Sequence, residues 1–239
     1  MKEYTGGRKF LDVTHTLLTK IKPRAFIPVL SDDEESFRTA KAFLRAGGKA
    51  DILILDERAC ADEKTALLVA EKLKGDQIVI FPDEFLAGEK AKALLKSVPV
   101  AEAIEELLCV RDGLAFGEGN GAALLMELGL LPQMQMLPCA QKTPVKTVSN
   151  LSPWLMDCKV GEEYAVGVSS KIGAFKALEK DLRVLIENGQ IALVDEKGNV
   201  DGVASADGRV FGKASLGVTN GLYQDIDEKI FAAGLRYYM

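Results

Sequence analysis

The chain has 239 residues and a mass of 25.9 kDa, with 48% hydrophobic and 27% charged residues, enough apolar material for one well-buried core. Thirty Lys and Arg against thirty-five Asp and Glu leave a formal charge of -5 with both signs interspersed, which argues against a nucleic-acid partner. Residues Met1 to Phe10 show no apolar targeting core, and no stretch approaches the roughly 18 uninterrupted apolar residues of a membrane helix, so a cytoplasmic protein with no membrane partner is expected.

The four cysteines, Cys60, Cys109, Cys139 and Cys158, have no C-x-x-C spacing, and His15 is the single histidine. A Cys/His zinc site is therefore not expected, nor any other metal or cofactor, and the thiols are read as free and reduced.

In chain order, short apolar strands alternate with helical patterns. Residues 25–30 form an apolar run, followed by Ser31-Asp-Asp-Glu34, which reads as a capping box, and by Phe37, Ala40, Phe43 and Leu44 at helical spacing up to Gly47-Gly48. The scheme repeats with strands at 51–55 and 77–81, followed by helices from Thr65 to Leu73 and from Glu89 to Leu95. It continues with a strand at 113–116 and a helix from Ala122 to Leu128 closed by Gly129, and shorter strands are expected at Gln190 to Val194 and Val210 to Lys213. Apolar strands between amphipathic helices predict a flavodoxin-like α/β sandwich with a mostly parallel central sheet.

Between the 113–116 strand and its helix lies Gly117-Glu-Gly-Asn-Gly121. Strand, glycine-rich turn and helix in that order make a nucleophile elbow, in which the middle residue attacks and backbone N–H groups receive an oxyanion. Here the middle residue is Gly119, which has no side chain.

Arg111-Asp-Gly-Leu-Ala-Phe-Gly-Glu-Gly-Asn-Gly121, continued by Glu127-Leu-Gly-Leu-Leu-Pro132, resembles the R-D-G-L-x-L-G-I-C-N-G…L-G-L-L-P segment of a class I glutamine amidotransferase domain. That domain is the kind fused to formylglycinamidine ribonucleotide synthase in the single-chain enzymes of anaerobic bacteria. Lys22 to Val29, Ala40 to Phe43, Ser149 to Leu155, Val160-Gly-Glu162, Ser205 to Lys213 and Lys229-Ile-Phe231 with Gly234 resemble further segments in the same order. The resemblance implies a class I amidotransferase domain over 22–239, with 1–21 as an N-terminal extension or vestigial linker. Its implied partner is a synthase subunit.

The departures fall where the family does its chemistry. The family's elbow Cys aligns with Gly119, and the His and Glu of its H-x-E align with Leu216 and Val218. Its P-G-G-F oxyanion turn reads Pro82-Asp-Glu-Phe85, which sets Asp83 and Glu84 where donors are needed, and its S-H-G-E-G reads Ser169-Ser-Lys-Ile-Gly173. Two stretches, 132–149 and 199–205, look shortened.

The sequence thus predicts no catalytic residue of the amidotransferase kind. Gly117, Glu118, Gly119, Asn120 and Gly121, with Asp83 and Glu84, remain as a vestigial elbow, open either to a small anion at the helix N-terminus or to the plainer role of shaping the turn. Glu118 is expected to be a solvated turn residue rather than a general acid. Ser169 and Ser170 read as polar loop residues, His15 as a linker or surface residue, and Cys109 as core. Three functions follow: a degenerate amidotransferase-like binding or structural module; a non-glutaminase synthase subunit that assists ATP-dependent amidation of formylglycinamide ribonucleotide; and a new hydrolase built on Glu118, Asp83 and Glu84.

Overall fold

A computed structural model gives the fold and describes residues 3–5, 22–83, 89–138, 144–169, 172–218 and 226–239. Within these the strands are β1 Glu3–Thr5, β2 Arg24–Val29, β3 Lys49–Ile54, β4 Ile78–Phe81, β5 Leu114–Glu118, β6 Met134–Leu137, β7 Val145–Thr147, β8 Glu163–Tyr164, β9 Ala174–Ala177, β10 Ile191–Asp195, β11 Val200–Ala204 and β12 Val210–Lys213. The helices are α1 Arg38–Arg45, α2 Glu57–Cys60, α3 Glu63–Gly75, α4 Glu89–Leu95, α5 Val98–Glu105, α6 Asn120–Glu127, α7 Glu179–Glu187 and α8 Ile226–Arg236.

The sheet runs β1-β3-β2-β4-β5-β12-β11-β10-β7-β8, with β9 on β11 and β6 on β9. Its central strands β3, β2, β4, β5 and β12 are mutually parallel. From β11 outward, and where β1 lies on β3, the pairing is antiparallel. The continuous apolar runs read as parallel strands are buried along nearly their whole length because helices cover both faces.

Successive residues point into opposite layers, as the strand period requires. Phe26, Val79 and Ala115 join the core under α3, α4, α5 and α6, while Ile27, Ile80 and Phe116 join the core under α1 and α8. In the second core Trp154 is fully buried, its indole N–H donating to the Arg209 carbonyl at 3.0 Å. Its ring sits 5.5 Å from that of Phe116 and 6.3 Å from that of Phe231. A Cβ at Gly234 of α8 would approach the indole to 2.6 Å, so the close approach of helix and ring depends on glycine there.

Two local expectations need correction. Ser31-Asp-Asp-Glu34 does not cap α1; the helix starts at Arg38 with no side-chain cap. Asp33 instead closes a turn on itself, accepting from the Ser31 hydroxyl at 2.6 Å and the Ser36 N–H at 2.8 Å, so the Ser31 side chain is held in this turn rather than at a helix N-terminus. Cys109 is exposed, because a π-helical turn at Glu106–Val110 rotates it outward while Leu107 and Leu108 take the core positions. The stop at Gly47-Gly48 is as read: Gly47 has φ +100 and donates to Leu44 O at 3.0 Å, and Gly48 donates to Phe43 O at 3.2 Å, closing the helix end.

Candidate functional site: a closed elbow

β5 feeds α6 through Gly119, whose φ of +53 and ψ of -119 lie where a residue with a Cβ is strained. The turn is set by backbone closeness. A Cβ at Gly121 would fall 1.9 Å from the Phe81 carbonyl oxygen, and one at Gly117 would fall 2.6 Å from the Gly121 backbone. The glycines therefore allow β4, β5 and α6 to meet. The Gly119 N–H donates to the Lys213 carbonyl at 2.8 Å, tying the turn to β12.

The space beside Gly119 is filled. A Cβ there would stand 2.0 Å from Asp83 Oδ1. Asp83 is buried, and the same oxygen accepts from the Asn120 N–H at 2.7 Å, Asn120 Nδ2 at 2.8 Å and the Ser169 hydroxyl at 3.0 Å. A carboxylate of the protein itself thus sits at the N-terminus of α6, where helix dipole and free N–H groups favour negative charge. Glu84 and Ser170 lie outside the described residues, as do His15 and Cys139.

Glu118 contradicts the expectation of a solvated turn residue. As the last residue of β5 it points inward and is fully buried, because the strand continues two residues further than the 113–116 pattern indicates. It accepts from Arg38 and from the Thr39 hydroxyl on α1, and its other oxygen is 3.3 Å from Lys213 Nζ. Lys213, opposite Glu118 in the parallel register, also lies 2.8 Å from Asp227 Oδ1 on α8 and donates to Ser215 O at 2.6 Å. Arg38 Nη1 is 3.6 Å from Asp227 Oδ2. Two cations and two anions thus form one internally neutral group joining α1, β5, β12 and α8. Burial alone would push the Glu118 carboxyl up, but the charges of Arg38 and Lys213 and the Thr39 hydroxyl outweigh it and hold it below the ordinary value. Burial likewise acts to discharge Lys213, and Asp227 and Glu118 overcome it, so its ammonium is held above its usual range.

Glu118 and Asp83 therefore have separate partners and do not form an acid–base pair. Ser169 is buried and bound to Asp83, with no imidazole beside it among the described residues. Leu216 and Val218 are half-buried on the segment leaving β12, and Leu216 bridges Gly167 through backbone hydrogen bonds of 2.8 and 3.2 Å. Arg38, Thr39 and Asp227 escaped the sequence reading. The only signal was Thr39 and Arg38 standing between Phe37 and Ala40 in the helical pattern. No group of three or more His, Cys, Asp or Glu among the described residues is placed to hold a metal, and no helix among them is long and apolar enough to cross a membrane.

Fold and site together define a flavodoxin-like α/β sandwich with a mostly parallel central sheet and glycine at the centre of its strand-to-helix elbow. One chain of the structure of PurLQS from Thermotoga maritima superposes with a TM-score of 0.68 at 18% identity, covering 92% of this chain and all (100%) of that one. A Thermoplasma acidophilum protein named for GMP synthase gives a TM-score of 0.61 at 12% identity, over 91% of this chain and 95% of that one. No protein-family model matches the chain. Among curated proteins, the phosphoribosylformylglycinamidine synthase subunit PurQ of Symbiobacterium thermophilum is 32% identical over 121 residues, 47% of this chain and 51% of that protein. The protein of the same name from Gloeobacter violaceus is 26% identical over 170 residues, 66% of this chain and 73% of that protein. The first match thus spans about half the length of its relative.

Proposed function

We propose that this protein is a degenerate glutamine amidotransferase-like module, without glutaminase activity, that acts as a binding or structural partner in purine biosynthesis. The observation that carries the reading is the exchange at the elbow: no side chain at Gly119, and Asp83 Oδ1 in the space a side chain would enter. An acyl-transfer site needs a nucleophile, a base and donors free for a developing oxyanion. At the aligned positions stand Gly119, Leu216 and Val218, and the Asn120 N–H at the head of α6 is engaged by an internal carboxylate. The relatives named PurQ support purine biosynthesis as the setting and, as the partner, a synthase subunit.

The test is twofold. Purified protein incubated with glutamine releases no glutamate above buffer and takes no stoichiometric label from a glutamine-like diazoketone; rapid labelling of any of the four cysteines overturns the reading. Capture of the native protein from its own cells brings down a formylglycinamidine ribonucleotide synthase subunit.

A second reading, favoured by the common name of the relatives, is a synthase subunit that assists ammonia-dependent amidation. It requires that adding this protein to the synthase raise the rate with ammonium salts while glutamine stays inert.

A further inference from the structure

Lys213 is the only buried lysine among the described residues, and its amine faces two carboxyls inside the protein. Nζ lies 2.8 Å from Asp227 Oδ1 and 3.3 Å from Glu118 Oε2, and the side chains of all three residues are 0% exposed. Phe116 stands two residues before Glu118 on β5, Phe211 two before Lys213 on β12, and Phe231 one turn after Asp227 on α8, so the three polar groups continue an aromatic layer closed to solvent.

A lysine amine and a carboxyl held in contact and out of water meet the conditions for forming an amide: a high effective concentration, and a product whose hydrolysis needs a solvent the site excludes. Glu118 adds what a simple ion pair lacks, a third group within reach of Nζ that can carry its protons. Arg38 Nη1, 3.6 Å from Asp227 Oδ2, stands where negative charge builds during attack on the carboxyl carbon. The Ser215 carbonyl, accepting from Nζ at 2.6 Å, fixes the amine in place.

We propose that Lys213 and Asp227 condense into an intramolecular isopeptide bond between β12 and α8, with Glu118 as the proton carrier. Nζ attacks Asp227 Cγ and the C–N bond forms, while Glu118 relays two protons in turn from Nζ to one oxygen of Asp227. The bond from Cγ to that oxygen then breaks, one water leaves, and Glu118 ends as the carboxylate it began. Ammonium with carboxylate, and amide with water, hold the same atoms and the same net charge, so no outside acid, base or co-reactant enters. The neighbouring cations keep the carboxyls ionised, which slows the first proton transfer, but the reaction has to occur only once per molecule. Its product removes one buried charge of each sign and leaves Glu118 paired with Arg38, relieving the desolvation of the original four. The inference is independent of any activity at the elbow.

Intact-mass spectrometry of the purified full chain tests it. The wild-type chain weighs one water less than its sequence. Trypsin fails to cut after Lys213 and releases Val210 to Lys229 as a single peptide, and chymotryptic cleavage after Tyr223 leaves the two arms joined. Lys213→Arg, which keeps the charge, and Glu118→Gln both return to full sequence mass. A wild-type chain at full sequence mass overturns the proposal, and because that measurement decides alone, a variant that fails to fold leaves the test intact. A lost water that fragmentation places away from residues 213 and 227 overturns it too, as does a folded Glu118→Gln chain that still carries the bridge.

Discussion

The carboxylate of Asp83 occupies the place where a side chain on residue 119 would begin, with 2.0 Å between Oδ1 and a Cβ built on Gly119. Any nucleophile introduced at the elbow must expel this carboxylate from the Asn120 N–H as well as accept a positive φ. Gly119→Cys should therefore cost about 1–3 kcal/mol in backbone strain and about 1 kcal/mol in lost capping. For a chain of this size that lowers Tm by roughly 2–4 °C per kcal/mol. Asp83→Gly removes the obstruction, so Gly119→Cys should cost less in that background. Strictly additive losses across the double-mutant cycle would show that the two residues do not compete for the same space.

Gly119→Cys should also give no glutamine turnover above buffer, measured as glutamate release. A lone thiol with an ordinary pKa of about 8.5 is only a few per cent thiolate at neutral pH, and Leu216 offers neither base nor acid. Loss of a triad member costs on the order of 10⁴ to 10⁶ in turnover in well-studied hydrolases. The triple change with Leu216→His and Val218→Glu should stay weak while Asp83 holds the head of α6. Steady turnover by the single variant would mean that a base exists elsewhere in the chain.

Glu118→Gln should destabilise the fold by about 3–5 kcal/mol, because it leaves Lys213 and Arg38 facing the buried Asp227, with only the exposed Glu35 as a further partner of Arg38. Pairing Glu118→Leu with Lys213→Met removes one charge of each sign and should recover much of that loss. Urea midpoints at constant m value provide the measurement. A Glu118→Gln variant as stable as wild type would show that the group contributes little.

Asp76 sets a pH dependence. Its side chain is buried at the C-terminal end of α3, just before β4, neither carboxylate oxygen has a hydrogen-bond partner, and the Arg24 Nε cation is 3.8 Å away. Burial, reinforced by the charge of Asp51, outweighs Arg24, Lys72 and Arg111 and pushes the carboxyl up to about 7. The folded state thus holds a proton that the unfolded chain releases near pH 4. Stability from this group is fully present below pH 4 and is lost as pH rises from about 4 to about 7. Asp76→Asn should abolish that slope and raise stability at pH 8 by a few kcal/mol, read from denaturation midpoints across the pH series. An unchanged slope would assign it to other groups.

The parallel half of the fold was legible because its strands are buried on both faces and read as unbroken apolar runs, with glycines marking where helices stop. The antiparallel flank was less so. Strands as short as β7 and β8, and pairings such as β6 with β9, are decided by contacts far apart in sequence, which local periodicity does not encode. The elbow was found from Gly117, Gly119 and Gly121, whose spacing reflects backbone closeness that a sequence records directly. Glu118 was misread for the opposite reason. A glutamate between two glycines has the composition of an exposed turn, and only the assembled fold brings Arg38, Lys213 and Asp227 around it. Asp83 was placed by the aligned Pro82 to Phe85 turn, but its bonds to Asn120 and Ser169 join segments 37 and 86 residues away.

Trp154 is the sole tryptophan in the chain, and its position makes the protein its own spectroscopic gauge. Sealed between Phe116 and Phe231 and pressed against Gly234, the indole should emit at short wavelength and be poorly reached by iodide. Any event that lifts α8 from the sheet admits water to the ring and shifts its emission to the red, without a label being attached. Because Asp227 on the same helix completes the charge group around Glu118, emission from this one residue reports whether the region behind the elbow is intact.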